Sequence, residues 1–339
     1  MRAFYINAPF ETEIREVPIP KLETPHDVLV KVMAAGICAS DVHSFDGYNK
    51  LGPTIPGHEY SGVVVEVGAE VTGLKPGDKV VNRIMKYCGK CYACRKGEIG
   101  VCDHATYSGF QIPGGFEEYV VCDERQWVKF DGDISFEQAA MIEPFTIGIQ
   151  ACTRGQVGEG DTVLIHGAGT IGDVNLIIAK RLGAKVMISD LIPERLEMAK
   201  RLGADMVVNS REENLEEKIR EFTKGEGVNV IIDCVGLPSL MHFNVDNTSR
   251  FGRIVLVGHT KVDFSAQWDL ITHKELSIIG SCNESYKTEE VINIYPEILD
   301  KVDMMMSKVL PFERVREGFE LAASRDPNVV KVVVRVNEK

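Results

Sequence analysis

No stretch of the 339 residues approaches the ~20 consecutive apolar side chains that a membrane-crossing helix needs, so no span is expected. The opening residues Met1 to Phe10 lack the apolar core and small-residue cleavage site of a secretory leader, and the protein reads as cytoplasmic. Blocks of one charge are missing too. Fifty acidic and 38 basic residues are mixed along the chain for a formal charge of -12, which offers no basic face to nucleic acid and favours solubility. There is no internal repeat and no low-complexity linker, so any domain boundary lies in ordinary turns. Nor is the cysteine count even: there are nine, four of them crowded between Cys88 and Cys102. Without a leader, that crowding suggests metal rather than disulfides.

The length suits two domains. Short β-branched runs (28–32, 62–67, 79–81 and 119–122) separated by glycine, proline and aspartate make the first 149 residues mostly β. From Asp161 the rhythm changes to alternating strands (162–166, 185–190, 206–208, 228–233, 253–257 and 276–279) and helices (171–182, 193–202 and 215–222). That alternation predicts an α/β chain whose residues 150–281 form a doubly wound parallel sheet of the Rossmann type. Residues 282–339, ending in a strand over 329–336, are too few for a core of their own and are expected to rejoin the first domain.

Strand 162–166 runs into Gly167-Ala168-Gly169-Thr170-Ile171-Gly172 and then a helix, the setting in which G-x-G-x-x-G binds a dinucleotide. The first glycine permits the turn, the second lets a pyrophosphate approach, and the third packs helix on strand. The phosphates then meet the unpaired N–H groups of Gly169, Thr170 and Ile171 at the helix start. Asp190 ends the next strand 18 residues after Gly172, placed to grip the ribose hydroxyls of NAD and repel the 2′-phosphate of NADP. Asp173 follows the last glycine, where a carboxylate competes with a nearby phosphate. Arg195 is read as a solvated helix arginine and stays outside the site.

Cys88, Cys91, Cys94 and Cys102 form C-x2-C-x2-C-x7-C, soft ligands close enough to wrap one tetrahedral zinc in a closed, structural site at about residues 86–103. Lys86, Lys90, Arg95 and Lys96 are interleaved where they would offset the thiolate charge. A second set is dispersed: Cys38, then His58 and Glu59. Three protein ligands with an open fourth position define a catalytic zinc. Taken alone, a buried thiol and a core histidine are the commoner roles for Cys38 and His58.

Gly57-His58-Glu59-Tyr60-Ser61-Gly62 with Gly68 and Val71, the block at 36–43, Lys75-Pro-Gly-Asp-Lys-Val, the cysteine lobe, Gly114-Gly-Phe-Glu-Glu-Tyr and the glycine turn resemble zinc-containing medium-chain dehydrogenases over essentially the whole chain. Met141-Ile142-Glu143-Pro144-Phe145 is similar to the branch of sorbitol and other polyol dehydrogenases and bacterial sugar-acid dehydrogenases. The resemblance implies a GroES-like catalytic domain, two zinc ions per chain, NAD and a homodimer or homotetramer joined through strand 276–279. It implies that Ser40 takes the substrate proton and that His43 passes it to solvent. Asp41 orients His58. Because Cys38 and Glu59 already neutralise a divalent ion, water or substrate is expected fourth, with Glu143 holding that water or replacing it in the resting enzyme. The substrate the resemblance implies is a small polar secondary alcohol, a polyol or sugar acid. Rival readings are a threonine or simple alcohol dehydrogenase on the same scaffold, and a non-catalytic zinc-stabilised redox-sensing or binding protein. Ala39, Glu117 and the run Asp173-Val174-Asn175 depart from the family pattern. Phe45, Tyr48, Asn49, Arg83 and Phe110 are weighed as pocket residues, with packing or solvent exposure the commoner role for each.

Overall fold

The computed structural model describes residues 1–48, 54–324 and 326–338. The chain divides into two compact units, Met1–Glu143 with Ser285–Lys339, and Pro144–Glu284. None of the described helices is long and apolar enough to cross a membrane.

The first unit is built around the strand Asp27–Ile37, whose side chains are almost all buried. It pairs antiparallel with Glu59–Val67 on one side, and with Tyr119–Asp123 and Lys331–Arg335 on the other. Lys79–Asn82 and Trp127–Lys129 extend the sheet one way and Met306–Pro311 the other, making seven strands. Residues 285–339 thus return to this unit, with Val332 opposite Ile37 and Val334 opposite Ala35. Val28, Val30, Val32, Tyr60, Val332 and Val334 share one core, where Phe4, Phe45 and Phe116 ring Phe319 at centroid separations of 5.1–5.6 Å. Such tilted and edge-on contacts suit the charge distribution of aromatic rings.

The second unit is a six-stranded parallel sheet in the spatial order Met206–Asn209, Lys185–Asp190, Thr162–His166, Val228–Asp233, Thr248–Leu256 and Ser277–Gly280. The first three run backwards in sequence and the last three forwards, so the order reverses between Thr162–His166 and Val228–Asp233, where doubly wound sheets bind ligands. Val163, Leu164, Ile165, Val230, Ile231 and Ile232 are fully buried, as strands covered on both faces require. Thr248–Leu256 begins five residues earlier than its apolar run predicts. A register shift between Val228 and Val230 lets the polar start of the strand, through Phe251 at φ +61°, join the sheet.

Candidate active site and dinucleotide turn

At its carboxyl end the central strand hands the chain to the helix Ala39–Phe45, with Cys38 as N-cap. The paired strand starts at Glu59, directly after His58. Because Gly36 lies opposite Glu59, the two segments bring a thiol, an imidazole and a carboxylate together. A Cβ on Gly36 would stand 2.3 Å from Glu59 Oε2, so any side chain there would push the carboxylate out of this position.

The ligand atoms of Cys38, His58 and Glu59 all lie within 4.8 Å of one another, with His58 and Glu59 buried and Cys38 half-buried. Asp41, 1% exposed, accepts from the backbone N–H of Cys38 at 3.0 Å and of Gly57 at 3.1 Å, tying both ligand segments to one carboxylate. Its Oδ1 stands 3.6 Å from His58 Nδ1, beyond hydrogen-bond length, and that nitrogen has no hydrogen-bond partner. Asp41 therefore acts on the ring through its charge and through the backbone it fixes. Burial disfavours an imidazolium at His58, but Asp41 and Cys38 outweigh it and hold the ring well above its ordinary pKa. A buried pocket that pulls a proton onto histidine suits a cation, and thiolate, imidazole and carboxylate are all competent zinc ligands.

Lys331, on the last strand, escaped the sequence reading. Its Nζ lies 2.7 Å from both Glu59 oxygens and donates to the Ile37 carbonyl at 3.2 Å, with both side chains at 3% exposure or less. Burial opposes its charge, but the carboxylate of Glu59, the Cys38 thiolate and Glu143 together hold the ammonium above the ordinary lysine value. The signal was a lone lysine inside the apolar run Val329-Val330-Lys331-Val332-Val333-Val334. Glu143, second residue of the helix Ile142–Arg154, is buried and acts on the same ammonium, but stands outside the group of three.

Ser40 is half-buried and His43 exposed, three residues apart on the short helix that Cys38 caps, so the two face the same side. The His43 ring lies 5.0 Å from that of Tyr48 and 3.9 Å from Asp46. Of the weighed pocket residues, Phe110 comes to the site, its ring 5.5 Å from His58. Phe45 is core, Tyr48 is 74% exposed, and Arg83 is buried on Glu289 at 2.5 Å and 2.6 Å. Asn49 lies outside the described residues.

The four lobe cysteines also gather, with Sγ–Sγ separations of 4.0 Å for Cys88 and Cys94 and 3.9 Å for Cys91 and Cys102. A disulfide needs ~2.05 Å, whereas four sulfurs at ~2.3 Å from a tetrahedral zinc sit ~3.8 Å apart. The set therefore fits a metal. Backbone N–H groups of Cys88, Cys91 and His104 point at the sulfurs. Of the four basic residues expected to offset them, Lys86 pairs with Asp123 at 3.4 Å, Lys96 lies over the Tyr92 ring and Arg95 donates to the Lys90 carbonyl. Backbone N–H groups of Lys90 and Cys91 lower the Cys88 thiol to about 6, while burial and neighbouring sulfurs raise Cys94 to about 12. At neutral pH Cys88 is then a thiolate ready to bind a cation, while Cys94 keeps its proton until a cation displaces it.

In the second unit Gly167 turns at φ +89° and Gly169 caps the helix Thr170–Arg181. A Cβ on Gly172 would meet the Gly167 carbonyl oxygen at 1.8 Å, whereas one on Gly169 would meet nothing within 4 Å. The third glycine is consumed by packing, and the second opens onto free space at a helix N-terminus, as a pyrophosphate requires. Asp190 ends its strand with Oδ2 on the Ala168 N–H at 2.8 Å, and Oδ1 on Leu191 and Ile192 at 2.7 Å and 3.0 Å. Arg195 stands 4.0 Å from Asp190, so it belongs to this corner rather than to solvent alone.

Comparison with known proteins agrees with this geometry. Residues 24–132 match the alcohol dehydrogenase GroES-like domain and residues 170–301 the zinc-binding dehydrogenase family. The chain is 33% identical to L-threonine 3-dehydrogenase of Rhizobium johnstonii, covering 95% of this chain and 94% of that one. It is 30% identical to sorbitol dehydrogenase of Bacillus subtilis, covering 99% and 98%. The crystal structure of the alcohol dehydrogenase rspB from Escherichia coli CFT073, complexed with NADH, superposes with a TM-score of 0.94 at 35% identity over 99% of each chain. With relatives matched end to end and both family descriptions satisfied in order, the chain belongs to the zinc-containing medium-chain alcohol dehydrogenases, a family of α/β oxidoreductases.

Proposed function

We propose that the protein oxidises a secondary alcohol on a small polar substrate, a polyol or sugar acid, with NAD. The observation that carries this reading is the buried meeting of Cys38, His58 and Glu59 beside the half-buried Ser40. Bound zinc would supply Lewis acidity toward the reacting hydroxyl, and NAD the acceptor for its hydride. Cys38, His58 and Glu59 would hold the metal, with Glu143 beside them. Ser40 Oγ accepts the hydroxyl proton as it leaves, and His43, one turn along the exposed face of the same helix, carries it to solvent. Phe110 excludes water on the His58 side. Asp41 and Lys331 hold the ligands in place. Gly167, Gly169, Thr170, Ile171 and Gly172 would cradle the pyrophosphate, and Asp190 the adenine ribose. Cys88, Cys91, Cys94 and Cys102 would hold a second zinc that stiffens the lobe without chemistry.

In this reading residues 1–149 and 282–339 form the catalytic part and residues 150–281 the cofactor part, which the compact units support to within six residues. The half-exposed terminal strand Ser277–Gly280 supports homodimer or homotetramer assembly along that edge. A threonine dehydrogenase is the second reading, favoured by the 33% identity to the Rhizobium enzyme. The test is NADH appearance across sugar alcohols, aldonic acids and L-threonine, with Cys38→Ser and His58→Ala as controls. Both variants lose turnover and still bind NADH. Full activity in either, or in zinc-depleted protein, refutes the proposal.

A further inference from the structure

Asp173 has no role in this scheme, yet it is the least expected side chain in the second unit. It is the fourth residue of the helix Thr170–Arg181, directly after Gly172, and is 0% exposed. Neither carboxylate oxygen has a hydrogen-bond partner. An unsatisfied buried polar group is destabilising, and a charged one more so. Leu176 and Ile177, three and four residues on and so on the same face of the helix, are buried and apolar, and Asn175 is the one other buried polar side chain of the helix.

The charges that act on Asp173 are Asp190, at the end of the adjacent strand, and Arg195 on the helix Pro193–Leu202. Arg195 stands 4.0 Å from Asp190, so its charge is shared between the two acids. Two buried titratable groups lie nearby, His166 at the end of the strand Thr162–His166 and Cys234 just past the end of Val228–Asp233. His166, held between Ser189 and Asn244 at 3.0 Å and 2.9 Å, is kept low by burial, and the Cys234 thiol is pushed up by burial and by Asp233. Neither of these two groups compensates an ionised Asp173, and Arg195, shared with Asp190, does so only in part. Burial and the facing Asp190 hold its carboxyl well above the usual range.

We propose that Asp173 makes dinucleotide binding proton-linked: the pyrophosphate is taken at this helix N-terminus while Asp173 carries its proton, and ionised Asp173 opposes it. The inference rests on the dinucleotide reading of the glycine turn. A helix N-terminus presents about half a positive charge to an incoming anion, and a carboxylate in the first turn cancels it. The arriving pyrophosphate in turn raises the proton affinity of Asp173. By linkage the complex binds more protons than the free protein, so Kd increases as pH rises through the titration of Asp173.

The test measures NADH binding by fluorescence to the zinc-loaded full chain between about pH 6 and pH 9, for wild type, Asp173→Asn and Asp173→Leu. The ratio of wild-type to variant Kd is expected to grow about three- to tenfold across that range. Thermal unfolding without cofactor gives an independent readout, the variants melting higher by a margin that widens with pH. Asp173→Leu keeps the test available if Asp173→Asn folds poorly, since leucine matches the apolar neighbours. Parallel pH slopes in wild type and both variants, or weaker binding by both variants throughout, overturn the proposal while leaving the dinucleotide reading intact. Absence of NADH binding by wild type overturns both.

Discussion

Lys331→Met deletes the one positive charge that, among the described residues, forms an ion pair with Glu59. Both Glu59 oxygens lie 2.7 Å from Nζ, and neither side chain is more than 3% exposed. Removing one partner of a buried ion pair leaves the other uncompensated, at about 3–5 kcal/mol. The lost bond to the Ile37 carbonyl adds about 1 kcal/mol. With a urea m-value of roughly 2–3 kcal/mol/M, the unfolding midpoint of the metal-free protein should fall by more than about 1 M. The transition can be followed by Trp127, buried in the first unit, after Trp268→Phe has silenced the one other tryptophan. The double variant Lys331→Met with Glu59→Gln removes the orphaned charge as well and should regain most of the loss. A single-variant cost below about 1 kcal/mol, or a double variant no better than the single, would refute a structural ion pair at this position.

Cys94→Ser should halve the zinc content from two ions to one per chain and make the lobe the first site of proteolysis; two retained zinc ions would contradict the closed four-sulfur site. Asp190→Ala should shift the NADP to NAD ratio of kcat/KM upward about tenfold or more, read by steady-state kinetics with both cofactors, and an unchanged ratio would count against the ribose contact. Glu117 is 3% exposed, and burial alone pushes its carboxyl up to about 8. Because the folded value is raised above the unfolded ~4.3, the stability tied to its neutral form is complete below about pH 4 and is lost as pH rises toward 8. Glu117→Gln should therefore gain on wild type between about pH 5 and pH 8, by an amount on the order of 3–5 kcal/mol at the top of the range. A pH-independent difference in denaturation midpoint would show that Glu117 finds a partner in the folded chain.

What the sequence made legible follows from where chemistry depends on spacing. The lobe cysteines occur within 15 positions, and the glycine turn spans six, so local covalent reach already forces each set together. The parallel strands were readable because burial on both faces leaves unbroken apolar runs such as Val163 to Ile165. Cys38 and Glu59 are brought together only by the antiparallel register of two strands, which spacing alone cannot give, so motif resemblance had to supply it. Lys331 lies 272 residues from Glu59 and reaches it only because the last strand pairs with the central one. A pattern reader sees an alternation error there.

That missed lysine changes the electrostatic argument about the fourth ligand. Counting only Cys38, Glu59 and a divalent ion, the site is already neutral, and ligation by Glu143 leaves it anionic, which argues for water in the fourth position. Lys331 adds a buried positive charge that Glu59 and Glu143 both feel. Three anionic side chains, one ammonium and a divalent cation sum to zero, so the charge objection to Glu143 as a ligand disappears. With zinc held there, its Lewis acidity would depend on how Glu59 divided itself between metal and lysine. A carboxylate drawn toward Lys331 would be a weaker donor and would leave the ion more electrophilic. On this reasoning Lys331→Met, if rescued by stabilising changes elsewhere, should bind zinc more tightly and turn over more slowly, a pairing that loss of structure alone cannot produce. Equal losses of zinc affinity and kcat would return Lys331 to a purely structural role.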